Sequence, residues 1–339
     1  MIEKREVQRR GFIGAGLVAA GAAVGALLRR AEPVRPVKSQ ISPLDSRFAY
    51  DTSAFEQTDP GWLRYKPSHE FQTRFEQVKR IGIAAEGLWV AGDHRLKLFS
   101  SDGKSKREVA LNFTPHCVCA QADRELYVAG KDVVIALDAE GREMLRTPRF
   151  ADNSYFTAIA VYRNTLYLAD AGNREVLIAD RRSGEIIDRF GKSNFAIPSP
   201  YFDLRMGVDN KLRVANTGKT RIETYSLDGR FESAWGEAGM QIDRFCGCCN
   251  PVFFAISPGG DFITSEKGLS RLNIYSSDGK FKGAVAGPEA MVVNKELARR
   301  ACVDCRVGAG FDVAVDAGNR VFALDPYRKA IRVFSPLDS

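Results

Sequence analysis

Histidine is scarce in this chain of 339 residues, which contains only His69, His94 and His116. A metal site held by several histidines, or a mechanism that uses several as acids and bases, therefore has little support. The chain also lacks the Gly-x-Ser-x-Gly element of α/β-hydrolases and the Cys-x-x-Cys-His sequence that attaches c-type haem. These absences disfavour histidine–metal enzymes, serine hydrolases of that fold and c-type cytochromes.

A large excess of one charge is also missing from most of the chain. The formal net charge is +7, but the first 30 residues carry six basic and two acidic side chains, and so most of that excess. No run of Lys and Arg interleaved with aromatic residues occurs in the rest, so we expect no nucleic-acid partner. With 27% charged and 45% apolar residues, the composition is that of a globular protein.

The N-terminus has the three parts of an export signal. Residues 1–10 are polar and basic, residues 11–28 carry no charge, and two arginines follow at 29 and 30. The segment Arg9-Arg10-Gly11-Phe12-Ile13 resembles a twin-arginine signal, although the residues on either side of it depart from that pattern. This resemblance implies export of the folded protein to the bacterial periplasm or the extracytoplasmic face of the membrane.

A simple N-terminal membrane anchor is the alternative, because residues 11–28 are about as long as a minimal membrane span. Their Gly and Ala content makes the stretch only modestly apolar, which favours the twin-arginine route. We therefore predict a signal or anchor at 1–30, a linker at 31–61 and one globular domain at 62–339.

One short phrase recurs six times along that domain. In its clearest form it reads Leu, an aromatic residue, Val or Leu, Ala, and then a small or acidic residue, and the last three copies follow this pattern more loosely. The six copies are Leu88–Gly92, Leu126–Gly130, Leu166–Asp170, Leu212–Asn216, Phe262–Glu266 and Val321–Asp325.

Each copy has similar surroundings that read as short strands. An apolar segment precedes the phrase, an alternating segment follows it, and several repeats then have an Asp-Gly turn, as at Asp102-Gly103, Asp228-Gly229 and Asp278-Gly279. Such dipeptides supply the positive φ of tight hairpins. Four antiparallel strands per repeat, six times over, predict an all-β fold: a six-bladed β-propeller of four-stranded blades.

The sixth repeat lacks its fourth strand, because the sequence stops a few residues after Ile331–Ser335. An open ring would expose a sheet edge. Residues Phe71–Phe75, ahead of the first blade, have the spacing of a strand. We therefore expect an N-terminal strand to complete blade 6 and close the ring.

Two segments carry the strongest likeness to a known family. Leu166–Arg174, reading LYLADAGNR, and Val315–Val321, reading VDAGNRV, resemble the NHL repeat. The resemblance extends over roughly residues 80–338 and implies a six-bladed propeller of the NHL or TolB-like kind. It implies little about chemistry, since such propellers serve as lyases, hydrolases, quinoprotein dehydrogenases and binding platforms.

Five of the seven cysteines lie in the two longest connections between repeats. Cys246, Cys248 and Cys249 precede blade 5, and Cys302 and Cys305 precede blade 6. Connections of this kind emerge on one face of a propeller, so we expect the five thiols to converge there. Thiolates suit zinc, copper(I) or an iron–sulfur cluster, whereas disulfides suit an exported protein; both interpretations stay open.

The remaining pair, Cys117 and Cys119, belongs to the first strand of blade 2, where buried structural thiols are expected. The acidic residues that end three phrases, Asp170, Glu266 and Asp325, either line the channel as a calcium or substrate site or cap loops; we favour loop capping.

These observations predict an exported binding or electron-transfer protein with a cysteine-ligated metal or iron–sulfur site, which meets a protein partner on its cysteine-bearing face. A cofactor-free interaction platform with disulfide-tied loops is the alternative. A hydrolase or lyase centred on the channel is the third interpretation.

Overall fold

The computed structural model describes residues 52–247, 249–292 and 310–337. These residues form 24 strands arranged in six four-stranded antiparallel sheets, with little helix. The predicted six-bladed β-propeller of four-stranded blades is therefore confirmed.

The first three blades each consist of four strands that follow one another along the chain. From the innermost strand outward, their bounds are β2(Val78–Ala84), β3(Gly87–Gly92), β4(Arg95–Phe99) and β5(Ser105–Ala110); β6(Cys117–Ala120), β7(Leu126–Ala129), β8(Val134–Leu137) and β9(Glu143–Arg146); β10(Phe156–Tyr162), β11(Thr165–Asp170), β12(Glu175–Asp180) and β13(Ile186–Phe190).

Blades 4 and 5 repeat this order, and blade 6 takes its outer strand from the N-terminal side. Their strands are β14(Leu204–Met206), β15(Leu212–Asn216), β16(Arg221–Tyr225) and β17(Phe231–Trp235); β18(Phe253–Ile256), β19(Phe262–Ser265), β20(Leu272–Tyr275) and β21(Phe281–Ala286); β22(Asp312–Val315), β23(Val321–Asp325), β24(Ala330–Pro336) and β1(Tyr65–Gln72).

The recurring phrase forms the second strand of every blade. Along β3, for example, Leu88, Trp89, Val90 and Ala91 are all at most 1% exposed. Alternate side chains of a strand point to opposite faces of its sheet, so each second strand packs against the neighbouring blade on both sides. Because both faces are buried, the residues of a second strand are apolar without interruption instead of alternating with polar ones.

The ring is closed by β1, which pairs antiparallel with β24 and brings Phe71 opposite Ile331. The expected N-terminal closing strand is thus confirmed, but it covers Tyr65–Gln72 rather than Phe71–Phe75. The chain turns away after Gln72 because Arg74 adopts a positive φ of 57°, and the Thr73 amide donates to the Lys329 carbonyl.

Phe71 also occupies the position that outer-strand aromatics hold in other blades. A Cβ atom placed on Gly103 would lie 2.5 Å from the Phe71 ring, and one on Gly229 would lie 2.5 Å from the Phe190 ring. Both glycines have φ near 80° and belong to Asp-Gly turns. Glycine is required there because the turn must press against the outer-strand aromatic of the preceding blade.

The ring has two faces, which differ in the segments that they carry. The connection face carries the described segments that join one blade to the next, residues 73–77, 111–116, 147–155, 191–203, 236–247, 249–252, 287–292 and 310–311. The turn face carries the turns between first and second strands, residues 85–86, 121–125, 163–164, 207–211, 257–261 and 316–320.

Helical structure in the described ranges is confined to short pieces. Three-residue 3-10 helices occupy Ser53–Phe55, Pro60–Trp62 and Thr217–Lys219. A short α-helix, α1, occupies Pro288–Met291. The sequence predicts a short helix over Glu289–Arg300, of which residues 293–300 lie outside the described residues. No helix within the described ranges is long and apolar enough to cross a membrane. The signal or anchor at 1–30 lies outside those ranges, and the predicted domain boundaries stay predictions.

Candidate functional site

The first cysteine-rich segment lies on the connection face, in the link from blade 4 to blade 5. Cys246 and Cys249 are buried, at 7% and 0% exposure. Cys248, Cys302 and Cys305 lie outside the described residues, so the convergence of the five thiols stays a prediction.

A buried carboxylate fixes the start of the first cysteine segment. The backbone amide of Cys246 donates to Oε2 of Glu266 over 2.7 Å. Asn250 fastens the other end, because its Nδ2 donates to the Lys267 carbonyl at 3.0 Å and its Oδ1 accepts from the Lys267 amide at 2.9 Å. The segment is thereby bound at both ends to the loop between β19 and β20.

Arg271 completes this network from inside blade 5. Its Nε lies 2.8 Å from Glu266 Oε1, with both side chains almost fully buried. Its Nη2 also donates to the carbonyls of Gln241 at 2.9 Å and Arg244 at 2.5 Å. Burial raises the pKa of Glu266, and the Arg271 guanidinium acts in the opposite direction. One ion pair therefore holds both the cysteine segment and the chain leading into it.

Blade 4 has a related network with two residue types exchanged. There, Asn216 ends the second strand and Glu223 lies on the third, where it accepts from Arg221 and from the Tyr225 hydroxyl at 2.7 Å. In blade 5 the carboxylate is instead at the end of the second strand and the amide, Asn273, is on the third. This exchange moves the negative charge towards the connection face, where it reaches the Cys246 amide.

We expect Glu266→Ala to loosen the cysteine segment specifically. The Cys246 amide would lose a charged acceptor, a hydrogen bond of the class worth about 1.5–3 kcal/mol, and its hydrogen exchange should accelerate roughly ten- to a hundredfold. Glu223→Ala, in the equivalent network of blade 4, is the matched control and should leave that amide unchanged. Equal exchange rates in both variants and the parent protein would contradict this role of Glu266.

Asp170 and Asp325 cap loops rather than line the channel. Asp170 Oδ1 accepts from the amides of Tyr155, Gly172 and Asn173, and Asp325 Oδ1 accepts from those of Tyr327 and Arg328. Each carboxylate therefore satisfies amides of turns on the connection face, as expected for loop capping.

Cys117 and Cys119 are structural thiols in the first strand of blade 2. Cys117 is 1% exposed, and burial raises its pKa to about 12. Burial also raises the pKa of Cys119, whose Sγ accepts from Gln121 Nε2 at 3.2 Å. Both thiols therefore stay protonated near neutral pH. Within the described ranges, no three His, Cys, Asp or Glu side chains are grouped to hold a metal ion.

The innermost strands carry a buried charge cluster at their connection-face ends. Arg80 lies 2.6 Å from Asp203 through Nη2 and 3.2 Å from Asp312 through Nε, and all three side chains are at most 5% exposed. Arg205 joins the same two carboxylates at 3.3 and 3.5 Å. We call these four residues the central cluster. It links blades 1, 4 and 6 across the axis of the ring.

Backbone amides complete the central cluster. Asp203 accepts from the amides of Leu204 and Phe254, and Asp312 accepts from those of Ile81 and Val313. Burial alone would lower the pKa of Arg80, but the two carboxylates raise it above its usual value. Burial raises the pKa of Asp312, while Arg80 and Arg205 oppose the shift.

Sequence reasoning missed this cluster because its members come from three segments that are more than 100 residues apart. The available signal was that charged residues occupy the start of a first strand or the position directly before it, where neighbouring repeats carry uncharged residues. Phe202-Asp203-Leu204 and Phe311-Asp312-Val313 are examples.

Aromatic and basic side chains surround the central cluster on the connection face. The Arg80 guanidinium lies 4.3 Å from the centre of the Phe253 ring, and Tyr201 packs edge-on against Phe253 at 5.5 Å. Lys267, from the loop that holds the cysteine segment, lies 5.4 Å from the Tyr201 ring. Across the ring, His116 stacks on Tyr155 at 4.6 Å. We call Tyr201, Phe253, Lys267, His116 and Tyr155 the aromatic rim.

His116 should make stability depend on pH. Burial, assisted by Lys79, lowers its pKa from 6.5 to about 4. Since the unfolded chain takes up the proton first, protonation favours unfolding, and stability should fall as the pH drops from about 6.5 to about 4. His116→Phe should flatten that part of the curve of unfolding free energy against pH, measured by urea titration, whereas His94→Phe should not. Parallel curves for His116→Phe and the parent protein would contradict the assignment.

Comparisons with known proteins identify the fold alone. No family model and no curated protein matches the chain. Among solved structures, a streptogramin B lyase has 12% identity and a TM-score of 0.56, covering 82% of this chain and 100% of that one.

Two further structures show the same likeness. A catalytically inactive virginiamycin B lyase from Staphylococcus aureus, solved with quinupristin, has 14% identity and a TM-score of 0.53, covering 79% of this chain and 83% of that one. The WD40 β-propeller domain of Doa1 has 11% identity and a TM-score of 0.52, covering 76% and 78%. At these identities the shared property is the β-propeller itself.

Proposed function

We propose that this chain is an extracytoplasmic binding protein that takes a protein partner on its connection face. The supporting observation is the aromatic rim, which lies beside the anchored cysteine segment. Its Tyr201, Tyr155 and His116 are partly exposed, while Phe253 and Lys267 are buried. Aromatic residues are enriched in the cores of protein–protein interfaces, where their large area is buried at low entropic cost. The Glu266–Arg271 network gives this surface a fixed backbone, which lowers the cost of ordering it on binding.

Photo-crosslinking from the two faces of blade 4 tests this proposal. Tyr201 lies on the connection face, and Val208, which is 64% exposed, lies on the turn face of the same blade. A benzoylphenylalanine at position 201 should give a discrete crosslinked product in the native host, and one at position 208 should not. A product from position 208 alone, or from neither position, would contradict a partner on the connection face.

We further propose that Cys246, Cys248, Cys249, Cys302 and Cys305 supply ligands to a thiolate-bound metal or an iron–sulfur cluster on that face. The cysteine segment is held at both ends, as a ligand loop must be, and sulfur donors suit soft metals. Such a centre would give the protein an electron-transfer role beside its partner.

Metal analysis of protein purified without oxygen tests the centre. Cys246→Ser and Cys302→Ser should each lose bound metal, while Cys119→Ser, which alters a half-buried thiol of the channel, should retain it. If the parent protein carries no metal and mass mapping finds disulfides between the two cysteine segments, the cofactor-free platform replaces this proposal.

Export by the twin-arginine route is part of the same proposal, because a cluster can be inserted only before the folded protein leaves the cytoplasm. Replacing Arg9 and Arg10 together with Lys should leave folded protein in the cytoplasm. Normal fractionation of that variant with the periplasm or membrane would contradict the route.

A lyase or hydrolase centred on the channel has less support. The three histidines lie on three different blades: His69 on β1, His94 between β3 and β4, and His116 beside β6. Only His116 belongs to the aromatic rim, so a histidine-based active site would rest on one residue.

A further inference from the structure

The central channel is a cavity with one polar end. Its volume is about 190 Å³, and it opens into a cavity of about 840 Å³ on the turn face, with which it shares Ile83, Ala120, Gln121 and Val315. At the connection-face end lie Arg80, Asp203 and Asp312 of the central cluster, exposed by 4% or less. Access from solvent therefore leads in from the turn face and stops at the cluster.

Arg205 is the charged side chain among the residues that line this channel. Its side chain is 21% exposed, whereas those of Asp203 and Asp312 are at most 1% exposed. The remaining wall is mostly apolar, with Ile83, Val161 and Ile256 among its side chains.

The two carboxylates of the cluster compensate the positive charge of Arg205 only in part. Its contacts with the two carboxylates measure 3.3 and 3.5 Å, longer than the 2.6 and 3.2 Å contacts of Arg80. Each carboxylate also accepts two backbone amides, which offset part of its negative charge. Its Nε donates to the Phe254 carbonyl at 3.1 Å, whereas its Nη1 donates to the Leu204 carbonyl and its Nη2 to Asp312, both at 3.5 Å. The two Nη groups carry four of the five N–H donors of the guanidinium. Because their contacts are long and Arg205 lines the channel, they are within reach of a ligand there.

We propose that the channel binds a small amphipathic carboxylate, which enters from the turn face and places its carboxylate on Arg205. Its hydrocarbon part lies along the apolar wall and displaces water from it. A guanidinium in a site of low dielectric strongly favours a carboxylate over a neutral or cationic head group. This site lies on the opposite side of the central cluster from the partner-binding surface, and it is independent of the cysteines of the connection face.

Calorimetric titration of the full chain with octanoate tests the proposal, with octan-1-ol and octylammonium as matched probes. Octanoate should bind, and the other two should bind at least roughly tenfold more weakly, since a hydrogen bond to a charged group is worth about 1.5–3 kcal/mol. Arg205→Gln should weaken octanoate binding by roughly ten- to a hundredfold on the same scale. Arg142→Gln, at an exposed turn of blade 2, removes the same charge and should leave binding unchanged.

Because Arg205→Gln also alters the central cluster, a second variant keeps the test decisive. Ala120→Phe places a ring where the two cavities join and leaves the cluster intact, so it should abolish octanoate binding. No binding of octanoate, equal binding of octan-1-ol, or unchanged binding by Ala120→Phe would overturn the proposal.

Discussion

Asp203→Ala should lower the free energy of unfolding by about 3–5 kcal/mol, the cost of removing one partner from a buried ion pair. Asp203 is fully buried and receives the Nη2 of Arg80 at 2.6 Å. Without this carboxylate, Arg80 keeps its charge in the interior of the ring with Asp312 as its remaining partner. The amides of Leu204 and Phe254 would lose an acceptor as well.

Urea unfolding followed by circular dichroism measures this effect. Asp261→Ala is the matched control, because Asp261 pairs with Lys282 at a partly exposed site of blade 5 and surface pairs contribute about 0–1 kcal/mol. A loss below about 1 kcal/mol for Asp203→Ala, within the range of such surface pairs, would show that the central cluster contributes no more than they do.

Deleting Tyr65–Gln72 should abolish the monomeric folded state. The strand β1 is the outermost strand of blade 6 and pairs with β24 over its whole length. Without it, β24 would become an exposed edge strand that pairs readily with another chain. The Phe71 ring, which packs against the Gly103 turn of blade 1, would be lost too, and the seam between first and last blades would open.

Size-exclusion chromatography and thermal unfolding report the outcome. We expect association or loss of a cooperative transition for the deletion, while Ser68→Ala, within the same strand, should behave as the parent protein. A monomeric deletion variant with an unchanged melting temperature would mean that closure of the ring does not depend on β1.

Part of the candidate site could be predicted from the sequence. The place of the first cysteine segment on the connection face follows from counting repeats, because links between blades emerge on the same side. The support of Cys246 by Glu266 did not follow from that count, since it depends on an exchange of Glu and Asn between two strands of blade 5 relative to blade 4. A residue-by-residue alignment of the repeats would show this exchange of Glu and Asn.

The sequence by itself determined the blade count, the second strand of each blade and the need for a closing strand. These features repeat along the chain, and local patterns of apolar residues and Asp-Gly turns encode each copy. The tertiary structure alone decided the start of the closing strand at Tyr65, the central cluster and the channel. Arg80, Asp203 and Asp312 come from three different blades, and they form one cluster only because closure of the ring brings the ends of its innermost strands together around one axis.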